Sequence, residues 1–244
     1  RRSSDLPAKH EEGMVLHGSG WPLSETHSNG GWWLYFDENN QVSFGMVIDL
    51  AYHNPYLSPF DELQRLKTHP LIRNILEGGK RLSYGARALT KGGLNSLPKL
   101  YFAGGVLVGD DAGFLNPAKI KGTHTSIKSG MLAAEAIYEA IAAGRQHDEV
   151  ASYEQKFKAS WLYNDMYAAR NFATAMHRMG IWMGGAFNFL EQNLFKGKMP
   201  LTIHDKMPDY DVLERADHAY IPEYPKPDGK LTFDKLSSVF ISNT

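Results

Sequence analysis

The sequence predicts a mixed α+β or α/β fold, and three observations carry that expectation. Residues 30–50 place aromatic and β-branched side chains on either side of a polar turn, residues 123–143 form one long helical pattern behind a glycine-rich turn, and residues 149–195 are mostly helical. Hydrophobic residues make up 43% and charged residues 22% of the 244-residue chain, enough apolar material for one large domain or two small ones.

The elements follow in chain order. Gly30-Gly31-Trp32-Trp33-Leu34-Tyr35-Phe36 and Gln41-Val42-Ser43-Phe44-Gly45-Met46-Val47-Ile48 read as two strands joined by the turn Asp37-Glu38-Asn39-Asn40. Ser58 is an N-cap with Pro59 at the first helical position, which predicts a helix to about Thr68. Pro70 restarts a short helix that Gly78-Gly79 ends, and residues 80–89 read as extended chain. Leu100-Tyr101-Phe102-Ala103-Gly104, a short apolar run bounded by glycines, is expected to be a buried strand. Thr123 opens a helix to Ala143 with Gly144 as its stop, and Ser126, Ser129, Gly130, Ala133, Ala134 and Ala136 let it pack closely. From Met199 the chain turns proline-rich and extended.

Composition narrows the function classes. Lys plus Arg (26) nearly balances Asp plus Glu (27), with the basic residues scattered, so no field would recruit nucleic acid. Without cysteine the chain has no disulfide, thiolate nucleophile or Cys-ligated metal. His17, His27, His53, His69, His124, His177 and His204 show no metal-binding spacing, so no metal site is expected. No apolar run reaches the ~18 residues of a membrane-spanning helix. Arg1-Arg2-Ser3-Ser4-Asp5-Leu6 lacks the apolar core of a signal peptide, and one reading frame of a common sequencing adapter encodes Arg-Ser-Ser-Asp-Leu; residues 1–12 are therefore read as an artefactual or incomplete leader.

The chemistry concentrates in the turn before the long helix. Gly109-Asp110, then Lys121-Gly122-Thr123-His124, join an apolar strand to a helix N-terminus. Amides at a helix start, approached closely through glycine, make an anion and dipole site, and an acidic residue at a strand end accepts a hydrogen bond from a ribityl hydroxyl. A plain strand-to-helix turn satisfies the same spacing.

This segment resembles the second FAD motif of hydroxylase-type flavoproteins. The runs Lys119-Ile120-Lys121-Gly122-Thr123-His124-Thr125 and Lys128-Ser129-Gly130-Met131-Leu132-Ala133-Ala134-Glu135 are similar to electron transfer flavoprotein:ubiquinone oxidoreductases specifically. So are Gly20-Trp21-Pro22-Leu23, Asn54-Pro55-Tyr56-Leu57-Ser58-Pro59-Phe60, residues 77–88 and Glu223-Tyr224-Pro225-Lys226-Pro227-Asp228-Gly229, in the same order.

The resemblance implies an electron-transferring-flavoprotein dehydrogenase. Such an enzyme passes electrons from reduced electron transfer flavoprotein through FAD, and through a [4Fe-4S] cluster in the full-length protein, to ubiquinone in the respiratory chain. It implies part of a hydroxylase-type FAD fold, with Gly109, Asp110, Lys121, Gly122, Thr123 and His124 on the cofactor side. Gly30 and Gly31 match a di-glycine at the ubiquinone site, where bare amides can reach a quinone carbonyl beside Trp32, Trp33, Tyr35 and Phe36. Spacing alone favours a turn into a strand with the aromatics as strand core; the resemblance reverses that order.

A third feature is apolar. Ile181, Trp182, Met183, Phe187, Phe189, Leu190, Leu194 and Phe195, with Arg178, Lys196 and Lys198 at the ends, suit either a buried helix or one lying in a membrane interface. The resemblance favours the interface, on the mitochondrial inner or bacterial cytoplasmic membrane. The implied division is a quinone-binding β-rich subdomain at 13–97, the C-terminal half of an FAD domain at 98–145, a helical membrane-surface segment at 146–198, and a tail at 199–244. The family's Gly-x-Gly-x-x-Gly turn and four-cysteine iron–sulfur module are expected outside this chain, which is expected alone to be inactive and to bind FAD weakly or not at all. Competing readings are a geranylgeranyl-reductase-like flavoenzyme and an inactive membrane-binding fragment.

Overall fold

The computed structural model describes residues 10–205 and 207–242, so the leader reading at Arg1–Leu6 lies outside the described residues. The chain forms two compact units, one from residues 10–86 with 207–242 and one from residues 87–205.

The first unit is built on a three-stranded antiparallel sheet of β1 (Val15–Gly18), β2 (Gly30–Asp37) and β3 (Gln41–Ile48), with β2 central. The expected hairpin is present, with Asp37 opposite Gln41 and Asn39 and Asn40 at positive φ in the turn. Strand alternation sends Trp32, Leu34 and Phe36 to one face, where Leu34 and Phe36 join Val42, Leu66, Ile72 and Leu76 in a core. Trp33 and Tyr35 take the other face, ring centroids 4.9 Å apart. β1, four residues long, is too short to have announced itself in the sequence.

Two helices cover that core. α1 (Pro59–Lys67) begins as expected, with the Ser58 hydroxyl accepting from the Asp61 amide and Pro59 at the first position. α2 is Pro70–Leu76. A buried carboxylate, Glu62, accepts from Arg65 at 3.2 Å and from the Tyr224 hydroxyl at 2.9 Å. The tail thus packs on α1.

The second unit is mainly helical. The expected buried strand at 100–104 is instead a two-residue hairpin, β4 (Tyr101–Phe102) with β5 (Gly105–Val106). Only Leu100 of that run is fully buried, and Phe102 is 51% exposed, because Gly104 at φ +79° turns the chain before a strand can extend. After α3 (Gly109–Ala112) comes α4 (Thr123–Ala142), ended by Gly144 in the left-handed conformation. Its small residues Ser129, Ala133, Ala136 and Ala140 are buried, and α5 (Ala151–Ala159) packs beside it. With α6 (Trp161–Ala168) they enclose Phe114, Tyr153, Phe157, Leu162 and Met166.

α7 (Phe172–Asn193) is interrupted at Gly180, whose backbone (φ 69°, ψ −178°) is non-helical. Its two arms run back along each other: Asn188 donates to the Phe172 carbonyl at 3.1 Å, though a straight helix would separate those residues by about 24 Å. Asn171, just before α7, donates to Glu191 at 2.6 Å. The second arm is held at its far end by Gln192, which donates to the Ala168 carbonyl at 2.8 Å. α8 (Lys235–Phe240), in the first unit, is capped by Asp234.

Candidate functional site

The glycine-rich turn folds around one carboxylate. Gly109 takes φ +70° and leads into α3, which projects Asp110 toward the start of α4. A Cβ on Gly122 would fall inside contact distance of Asp110 Oδ1, so glycine is what lets the carboxylate approach the backbone there. Ser126 donates to the same oxygen at 3.4 Å. No side chain of Gly122 can cap α4, and the Asp110 charge sits at the positive end of the helix dipole.

The donor and acceptor set fits a polyol hydroxyl better than a phosphate at this point. Asp110 retains acceptor capacity, whereas a second anion would face its carboxylate, and the Gly109 amide is already committed to the Ser129 hydroxyl at 2.9 Å. A cleft of about 260 Å³ opens beside it, lined by Arg87, Leu89, Thr90, Val108, Gly109 and Asp110 among others. Lys121 and Thr123 are exposed next to it in sequence, and His124 is half-buried.

Asp165 of α6 is the group that sequence reasoning missed. It accepts from Asn116 Nδ2 at 2.8 Å, pairs with Lys119, and lies 3.6 Å from His124 Nε2. Burial would raise its carboxyl, but the hydrogen bonds from Lys119 and Asn116 outweigh that and hold it below the ordinary carboxylate range. His124 also lies parallel to the Trp161 ring, 6.1 Å between centroids.

On the sheet side, Gly30 and Gly31 are demanded by packing. A Cβ on Gly30 would meet the Val47 carbonyl and stand 2.6 Å from Leu23 Cδ1, and one on Gly31 would stand 2.7 Å from the Gly18 carbonyl. The four aromatics split between faces: Phe36 is in the core, Trp32 packs against it half-buried, and Trp33 and Tyr35 line the outer face, where His17 meets the Tyr35 hydroxyl at 3.1 Å. Leu23, behind Gly30, belongs to a loop fixed by Trp21 donating to Glu25 at 2.8 Å and by the Glu25–Arg65 pair at 2.5 Å. Sequence reading did not single out Glu25, Glu62, Arg65 or Tyr224 as a network, since their spacing carries no local signature.

The apolar run lies on the second arm of α7, with Leu194 and Phe195 just past its end. Trp182 is 88% exposed, Ile181, Met183, Phe189, Leu190, Leu194 and Phe195 are exposed, and Phe187 is half-buried. The opposite face of the arm, with Gly184, Asn188 and Glu191, is buried. Among the described residues, no helix is long and apolar enough to cross a membrane, and no group of three or more His, Asp or Glu is placed to hold a metal.

Comparisons with known proteins address the same regions. A family model described as ETF-QO, ubiquinone-binding matches residues 6–89, which include the sheet, the di-glycine and α1 with α2. A probable electron transfer flavoprotein-ubiquinone oxidoreductase of Acinetobacter baylyi is 60% identical over 256 residues, covering 98% of this chain and 45% of that protein. The Pseudomonas aeruginosa oxidoreductase is 61% identical, covering 98% of this chain and 43% of that protein. The mitochondrial one of Bos taurus is 45% identical, covering 97% and 39%. The chain thus spans less than half the length of these relatives.

The sheet, the di-glycine, α1 and α2 of the first unit fall within the stretch that resembles a ubiquinone-binding family model. By sequence, the chain belongs to the electron transfer flavoprotein-ubiquinone oxidoreductase family. The match along nearly the whole chain displaces a geranylgeranyl-reductase-like reading.

Proposed function

We propose that the protein carrying this chain takes electrons from reduced electron transfer flavoprotein and delivers them to ubiquinone at a respiratory membrane surface. The supporting observation is 60% identity along 98% of the chain to a relative of that name, together with a ubiquinone-binding family match over residues 6–89. In this reading the membrane is the mitochondrial inner or the bacterial cytoplasmic one, in keeping with the occurrence of mitochondrial and bacterial relatives.

In this reading residues 98–145 are part of a hydroxylase-type FAD fold. FAD, when bound, supplies the electron carrier between donor and quinone. Asp110 accepts a ribityl hydroxyl, Gly122 leaves the space for that approach, and Lys121, Thr123 and His124 border the same helix start. Residues 13–97 hold ubiquinone, with Gly30 and Gly31 setting the sheet end and Trp33 and Tyr35 offering aromatic surface. The α7 arm, with its exposed Trp182 and Phe189, rests in the lipid interface where a lipid quinone enters. With no cysteine here, a [4Fe-4S] cluster would be held by residues outside this chain.

The test is turnover of the purified, FAD-replete full-length protein with reduced electron transfer flavoprotein and a short-chain ubiquinone. Quinone-dependent oxidation of the flavoprotein is expected; its absence would overturn the reading.

A further inference from the structure

Three groups from one loop converge on a single carboxylate. Asn116 Nδ2 donates to Asp165 Oδ2 at 2.8 Å and to the Asp165 carbonyl at 3.3 Å, Lys119 pairs with Oδ1, and His124 Nε2 stands 3.6 Å from Oδ2. Asn116 turns its other end inward, its Oδ1 accepting from the amides of Ala118 and Lys119 at 3.1 and 3.2 Å. Asp165 therefore holds the loop's buried Asn116, one of its two lysines and the imidazole at the start of α4.

The loop needs an outside hold. Apart from Asp165, its closure rests on the Asn116 amide bonding the Lys121 carbonyl at 3.2 Å and on the buried Thr125 hydroxyl bonding the carbonyls of Phe114 and Gly122. At its tip Ile120 takes φ +50°, which a β-branched residue adopts only when its surroundings impose it. α6 supplies both partners of His124, since Trp161 and Asp165 are four residues apart on one face.

We propose that Asp165 is a positioning residue for the cofactor side: it locks the 116–124 loop so that Gly122, Thr123 and His124 are presented at the start of α4 in the arrangement the flavin requires. This rests on the flavin reading above. Asp165 touches no reacting atom; it acts through Asn116, Lys119 and His124. The hold also reaches the helical hairpin, because the other end of α6 receives Gln192 of α7 at the Ala168 carbonyl, 2.8 Å away.

The experiment compares Asp165→Ala and Asp165→Asn with wild type in two readouts. In the full-length protein, the FAD dissociation constant and visible flavin spectrum are measured. The expected result is affinity weakened at least tenfold with a displaced spectrum for Asp165→Ala, and substantial rescue by Asp165→Asn, which keeps acceptor oxygen for Asn116 and His124. In the chain itself, trypsin cleavage after Lys119 and Lys121 is expected to accelerate severalfold in Asp165→Ala, with the circular dichroism spectrum unchanged. Wild-type affinity, spectrum and cleavage rate in Asp165→Ala would overturn the positioning role and leave the flavin reading standing. A full-length wild type that takes up no FAD would overturn the flavin reading itself, whatever the cleavage rates.

Discussion

Gly184 lies directly on the backbone carbonyl of Ala175: a Cβ there would stand 2.6 Å from that oxygen. A straight helix would hold those residues about 13 Å apart, so this contact is the signature of the fold-back at Gly180. Gly184→Ala is expected to destabilise the second unit by about 1–3 kcal/mol, because backbone cannot yield as a side chain does. Urea unfolding of both proteins measures it, and equal midpoints would contradict the antiparallel arrangement.

The hairpin's outer surface gives an opposite expectation. Trp182 is 88% exposed and adds little to packing, so Trp182→Ser should leave the melting temperature within a degree or two. Binding to vesicles of mixed neutral and anionic lipid should fall severalfold, as seen by sedimentation. Undiminished vesicle binding would remove this arm from the proposed membrane contact.

Tyr224 links the tail to α1. Its hydroxyl donates to buried Glu62 and accepts from the Ser58 amide, both at 2.9 Å, and burial foremost pushes its own ionisation up. Tyr224→Phe strips a donor from a fully buried carboxylate and should cost about 1–3 kcal/mol. A thermal scan that matches wild type would mean the two groups find other partners.

Asp228 carries a pH dependence. The Thr232 amide, with those of Lys230 and Leu231, holds its carboxyl down at about 2 against an ordinary 3.8. A carboxyl depressed on folding stabilises above its unfolded value, and that contribution disappears as pH falls from 3.8 through about 2. Asp228→Asn keeps an oxygen for the three amides but not the charge. Its stability deficit should therefore be constant above about pH 4 and shrink toward pH 2, a trend that melting curves across that range would reveal.

What the sequence disclosed, and what it hid, divides by the range of the interaction. The β2–β3 hairpin, the Ser58-Pro59 helix start and the Gly144 stop were legible because each depends on residues within one turn. Resemblance singled out Asp110 and Gly122 as cofactor-side residues, but the contact between them crosses 12 positions and has no local mark. Asp165 was not: its partners Asn116, Lys119 and His124 lie 41 to 49 residues away, and an aspartate inside a helix has nothing local to mark it. The fold-back was hidden because Gly180 sits in a run that otherwise reads as continuous helix. The buried strand expected at 100–104 failed where Gly104 overruled the apolar run.

The proposed binding of ubiquinone to the first unit is tested most directly by a fluorescence titration. With Trp161 and Trp182 replaced by Phe, the remaining Trp21, Trp32 and Trp33 all belong to that unit. Titrating this protein with a short-chain ubiquinone should give saturable quenching with a dissociation constant below about 1 mM, the weak end of specific small-molecule binding. Quenching that rises linearly with quinone and never saturates would contradict the assignment.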